Sequence, residues 1–172
     1  MIAGYVAGGR GRQLRPVVIP GNTVVAAIRA KSDSQLPFAR LELVQSRGPW
    51  LSEPLPAAAI GWVTALTAAT LPERQPYPAL YAALSALLDA ICAAPSARGW
   101  AGALVAYEVL LLRELGYGAA STAKPKVAGL EDALSWLDRL ENPIATRLLA
   151  HTGADVMSAR ILLRERLGKM VV

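Results

Sequence analysis

The chain has 172 residues, enough for one ordinary domain or two small ones, and with 53% hydrophobic and 18% charged residues it is not a disordered chain. A single cysteine, Cys92, excludes a disulfide framework and a cysteine-clustered zinc site, and makes a reducing compartment the default. The net charge of +5 sits wholly within residues 1–47, where Arg10, Arg12, Arg15, Arg29, Lys31, Arg40 and Arg47 face only Asp33 and Glu42; beyond them the charges cancel.

In chain order, the apolar run Ile2–Ala7 predicts a first strand. It leads into the loop AGGRGRQLRP, Ala7–Pro16, where Arg10, Arg12 and Arg15 stand among Gly8, Gly9 and Gly11. Pro20-Gly21-Asn22 signals a turn, and Thr23–Ala30, rich in Val and Ile, predicts a second strand. After the polar connection Ser32–Pro37, Phe38–Val44 alternates and predicts a third. Phe38, Arg40 and Glu42 fall on one side of it, Ala39, Leu41 and Leu43 on the other. So small a sheet leaves open edges and is marginal alone, so that other elements must cover it.

Between Ser46 and Pro56 the stretch SRGPWLSEPLP breaks the pattern with glycine and three prolines. The expected boundary therefore separates a basic β module, residues 1–47, from a helical domain, residues 48–172, in an α+β chain. Ala57–Thr70, Pro78–Ala94 and Arg98–Leu115 predict helices, the third stopping at Gly116. The uncharged segment Ala57–Leu71 is too short to span a bilayer comfortably and reads as a buried helix. Ala119–Gly129 reads as a linker. Leu130–Leu140, Pro143–His151 and Asp155–Leu167 read as shorter helices, with Asn142 and Asp155 as N-caps.

The third helix and its exit read YEVLLLRELGYG, Tyr107 to Gly118. The aromatic–Glu pair, the leucine run and the terminal Leu-Gly-Tyr-Gly resemble the hallmark helix of the RecO family of bacterial recombination mediators. Upstream, YVAGGRGRQLRPVVIPGNTVVAAIRAKSDSQLPFARLELV resembles the latter part of that family's OB-type barrel, and LPERQPYPALYAALSALLDAI its first helices. The resemblance implies a partial OB-type β-barrel followed by an all-helical domain, in a cytoplasmic, nucleoid-associated protein. It implies binding of single- and double-stranded DNA, annealing without ATP, and help to RecR, and indirectly RecF, in placing RecA on DNA covered by single-strand-binding protein. Family members generally have two strands ahead of the one that Ile2–Ala7 resembles, so the start reads as late-assigned or the protein as shortened. Where several relatives carry zinc-binding cysteines this chain has AASTAKPK, so no metal or other cofactor is expected; where many carry Arg before the aromatic–Glu pair it has Val105-Ala106.

The cations Arg10, Arg12, Arg15, Arg29, Lys31 and Arg40 are the candidates for nucleic-acid contact, because guanidinium groups bridge phosphates bidentately and glycines permit close backbone approach. The plain alternative is a solvated loop with charge-protected strand edges. A P-loop is excluded because no lysine precedes Lys31, and no Rossmann glycine register is present. Among nearby aromatics only Tyr5, Phe38 and Trp50 are available, and Phe38 is also a core candidate, which favours backbone binding over base readout. Cys92 and His151 are the one conceivable nucleophile–base pair, but each lies among apolar residues; Glu131, Asp132, Asp138 and Glu141 make no metal-ligand pattern. No covalent chemistry is expected. Glu108 is expected to pair with Arg113 or a backbone donor. Arg160 and Arg164, four apart in the final helix, form a candidate face for the acidic tail of a single-strand-binding protein. The rival class is a protein-interaction adaptor without direct DNA contact; a membrane-surface role lacks the required basic amphipathic helix.

Overall fold

The computed structural model describes residues 1–32, 35–118, 125–152 and 155–171. Two antiparallel strands, β1 (Thr23–Arg29) and β2 (Phe38–Gln45), precede five helices: α1 (Pro54–Thr70), α2 (Pro78–Ala93), α3 (Ala101–Glu114), α4 (Leu130–Pro143) and α5 (Met157–Gly168). The linker expected over Ala119–Gly129 and the connection Ser32–Pro37 lie partly outside the described residues.

Register pairs Arg29 with Phe38, Ala27 with Arg40 and Val25 with Glu42, and a bulge near Thr23 leaves Val44 without a partner. The expected first strand shrinks to one parallel bridge. Tyr5 N–H donates to the Pro37 carbonyl at 2.8 Å, and Ala39 N–H donates to the Tyr5 carbonyl at 2.9 Å. The glycines beyond Tyr5 are the physical reason. Gly8, at φ +72°, and Gly9 N–H bonding back to Val6 at 3.1 Å turn the chain away before a second rung forms.

The turn Gly21-Asn22 fastens the sheet to the helices. Gly21 has φ +86°, and a Cβ there would lie 2.9 Å from Ile60 Cγ2 of α1, so only glycine fits. The Asn22 amide donates to the Pro16 and Val17 carbonyls at 2.8 and 3.1 Å, while its oxygen accepts Arg47 N–H at 2.8 Å. Arg47, only 1% exposed, spreads its guanidinium between the Gly21 carbonyl (2.5 Å), Thr23 Oγ1 (3.0 Å) and Asp89 Oδ1 of α2 (2.6 Å).

The main core lies among the helices. α1 is apolar almost all round because it packs against both α2 and α5, burying Ile60, Trp62, Val63 and Leu66. Its threonines stay compatible with that setting by bonding back one turn, as Thr64 does to Ile60 O at 2.7 Å and Thr67 to Val63 O at 2.6 Å. α3 inserts Leu104, Tyr107 and Leu111, and α4 presents Leu130, Ala133, Leu137 and Leu140 on one stripe. The break expected at Asn142 is absent. α4 runs through Pro143 into a wide turn, Ile144–Leu148, closed by Leu149 N–H on the Ile144 carbonyl at 3.0 Å. Proline supplies no N–H and crowds the preceding turn, and the wider turn accommodates it without ending the helix. Asp155 does cap: its carboxylate accepts Ser158 N–H at 3.1 Å at the start of α5.

Candidate nucleic-acid interface

All six candidate cations of the β module, Arg10, Arg12, Arg15, Arg29, Lys31 and Arg40, are exposed, and none forms an ion pair among the described residues. Arg47, the seventh basic residue of this region, is buried and tied to Asp89. Short turns shape the arginine loop, with Gly11 N–H on the Gly8 carbonyl at 2.8 Å and Arg15 N–H on the Gly11 carbonyl at 2.9 Å. It carries Arg10, Arg12 and Arg15 between Tyr5 and β1.

The other three cations gather on the sheet. Directly opposed residues share a face, so Arg29 and Phe38 point the same way, and alternation adds Arg40. The Lys31 ammonium stands 5.8 Å from the centre of the Phe38 ring. Phe38 does not enter the core. It is 46% exposed and meets Tyr5, 52% exposed, edge to face with ring centres 5.5 Å apart. Glu42 lies two pleats further along the same face, opposite Val25. The exposure of this aromatic pair was not legible in the sequence, because alternation says which residues share a face and not whether that face is covered.

The second candidate group divides. Arg160 points into the bundle, 3% exposed, where Nη2 donates to Glu108 Oε2 at 3.0 Å and to the Leu137 carbonyl at 2.6 Å. It therefore offers no charge to a partner at the surface, contrary to expectation. Glu108 is fully buried and accepts Trp62 Nε1–H at 2.8 Å, so this carboxylate joins α1, α3 and α5. Burial pushes its carboxyl group above the usual range, while the Arg160 guanidinium and the hydrogen bonds from Arg160 and Trp62 pull it back. Arg113, the expected partner, instead lies 3.5 Å from Glu114. Arg164 remains nearer the surface in a two-point pair with Asp138, at 2.8 and 2.9 Å, which holds that carboxyl below its usual range.

Cys92 is half-buried on α2, and burial raises its thiol despite the opposing effect of Arg47; His151 is exposed beyond the wide turn. Among the described residues no group of three His, Cys, Asp or Glu side chains could hold a metal ion. Among the same residues, no helix is long and apolar enough to cross a membrane.

The Leu-Gly-Tyr-Gly exit has a clear physical role. Gly116, at φ +86°, lets Tyr117 N–H reach the Leu112 carbonyl at 2.8 Å while its own N–H bonds Arg113 O at 3.0 Å, which closes α3 in a Schellman cap. A Cβ on Gly118 would lie 2.9 Å from Arg113 Cα, so this glycine lets the chain fold back tightly.

Fold and surface together define an α+β protein in which a small two-stranded sheet bearing exposed cations precedes a bundle of five helices, among the described residues. The family described as Recombination protein O C terminal matches residues 52–126. DNA repair protein RecO of Rhodospirillum centenum is 43% identical over 117 residues, covering 67% of this chain and 45% of that protein. Those of Phenylobacterium zucineum and Paracoccus denitrificans are each 33% identical over 162 residues, covering 93% and 94% of this chain and 63% and 64% of theirs. This chain belongs to the RecO family. It spans less than two thirds of the length of these relatives. No solved structure matches it.

Proposed function

We propose that the chain acts in DNA repair, as its relatives' name states of them, and in recombination, by binding DNA through its N-terminal module. The observation that carries this reading is the set of six exposed cations without an acidic partner among the described residues. Such a surface neutralises phosphates and releases condensed counterions, and it lowers the repulsion between two strands brought together. Annealing of complementary strands then needs neither ATP nor covalent chemistry. In this reading the sheet is part of an OB-type barrel, and the helical domain carries it and docks proteins: RecR, with RecF and RecA in the same pathway, and single-strand-binding protein. The setting is the bacterial cytoplasm, at the nucleoid.

Replacing Arg10, Arg12 and Arg15 together with Ala tests the loop. The slope of log K against log salt for single-stranded DNA should flatten by about 2, at roughly 0.7 per phosphate contact. An unchanged slope removes the loop from the interface. The adaptor reading draws on a sheet that has two strands among the described residues, which form no closed groove. It predicts no binding of labelled single-stranded DNA at low or moderate salt.

A further inference from the structure

We propose that the Phe38 face of the sheet is a stacking platform for unpaired nucleobases, which makes this surface selective for single-stranded over duplex DNA. The inference rests on the DNA-binding reading and adds how one form of DNA is chosen. Its basis is the surroundings of a single ring. Phe38 is 46% exposed although it is the only phenylalanine of the chain and lies on a strand whose opposite side carries Ala39, Leu41 and Leu43. Around it stand Arg29, directly across on β1, Arg40, two residues on, and Lys31, whose ammonium lies over the ring at 5.8 Å. Tyr5, 52% exposed, sets its ring at 89° to that of Phe38 and fixes its orientation.

An aromatic ring inside a ring of cations suits a ligand with alternating flat and anionic parts, and a single strand of nucleic acid is one. One base settles on Phe38, while Arg29, Lys31 and Arg40 take the flanking phosphates. The Lys31 ammonium is exposed and its hold on the ring is weak, so it passes from ring to phosphate as a base enters. A duplex keeps its bases stacked on one another and presents phosphates alone. An acidic peptide would satisfy the cations and leave both rings in water.

The experiment compares three ligands of equal length on the full chain: oligo-dT, an abasic strand with the same phosphates, and a duplex. The unaltered protein should bind oligo-dT about tenfold more tightly than the abasic strand, the effect of one stacked base. Phe38→Leu should bring oligo-dT down to the abasic level and leave the salt slope unchanged. Phe38→Trp should keep the preference, with emission at position 38 quenched by oligo-dT and not by the abasic strand. If oligo-dT binds no more tightly than the abasic strand or than the duplex, or if Phe38→Leu keeps the preference, the platform is overturned while DNA binding stands. Binding of none of the three ligands overturns both readings. Should Phe38→Leu bind nothing, Phe38→Trp decides: quenching by oligo-dT alone upholds the platform, and any other pattern overturns it.

Discussion

Glu108 is a carboxylate without access to water, and its neighbours are matched to it: one indole N–H, one guanidinium, and around them the apolar core. Pairs of this kind repay little of their desolvation, yet losing one member leaves the other charge stranded. Glu108→Gln should therefore lower the unfolding free energy by about 3–5 kcal/mol, because Arg160 is left buried without a counter-charge. Adding Arg160→Met should restore most of that loss, since Gln still offers Trp62 an acceptor. Denaturant midpoints of the two variants measure this, and a double variant as weak as the single one would refute the account. The sequence marks Glu108 by its place in the aromatic–Glu pair, but Arg160 lies 52 residues away. Helical spacing identifies only neighbours three or four apart and cannot reach so distant a cation. Arg113, five residues on in the same helix, is the partner the local sequence offers Glu108, and the four-residue step from Arg160 to Arg164 reads as a surface face.

Helices were legible where periodicity and punctuation agree. Proline opens α1 and α2 and Gly116 closes α3, and these ends fall within a few residues of their expected places. Two elements were not legible. Ile2–Ala7 has the composition of a strand but yields one bridge, since composition cannot tell how far a partner edge continues. Pro143 reads as a helix start because it follows a good capping residue, yet the wide turn carries the helix past it. The Schellman exit offers a clean test at this scale. A Cβ on Gly116 would meet nothing within 4 Å, so Gly116→Ala costs only the left-handed backbone conformation, roughly 1–2 kcal/mol. Gly116→Asn, which tolerates that region better, should cost less; equal midpoints for Ala and Gly would show that the cap contributes nothing.

The whole molecule depends on how the sheet is held. A two-stranded sheet with exposed Val25, Phe38, Leu43 and Val44 does not persist alone. It is held by Gly21 against Ile60 and by the three-way grip of Arg47 on Gly21, Thr23 and Asp89. Net charge could not reveal this, because counting treats Arg47 as one more cation of the basic end. Arg47→Met should free the sheet while the bundle stays intact. Amide exchange in β1 and β2 should quicken roughly ten- to a hundredfold, the equivalent of about 1.5–3 kcal/mol of charge-assisted hydrogen bonding. Exchange in the middle of α3 should not change, and equal acceleration in both places would mean that sheet and bundle open as one unit.

The interior contact that joins Trp62, Glu108 and Arg160 also bears on synthesis. A ribosome makes the indole first, the carboxylate second and the guanidinium last, so a nascent chain carries Glu108 through the making of α4 before its cation exists. By then α2 can cover part of α1, but the face of α1 that packs against α5 is still open. A product interrupted before residue 160 therefore lacks the element that covers this face of α1, and an apolar surface left uncovered in that way is prone to aggregation.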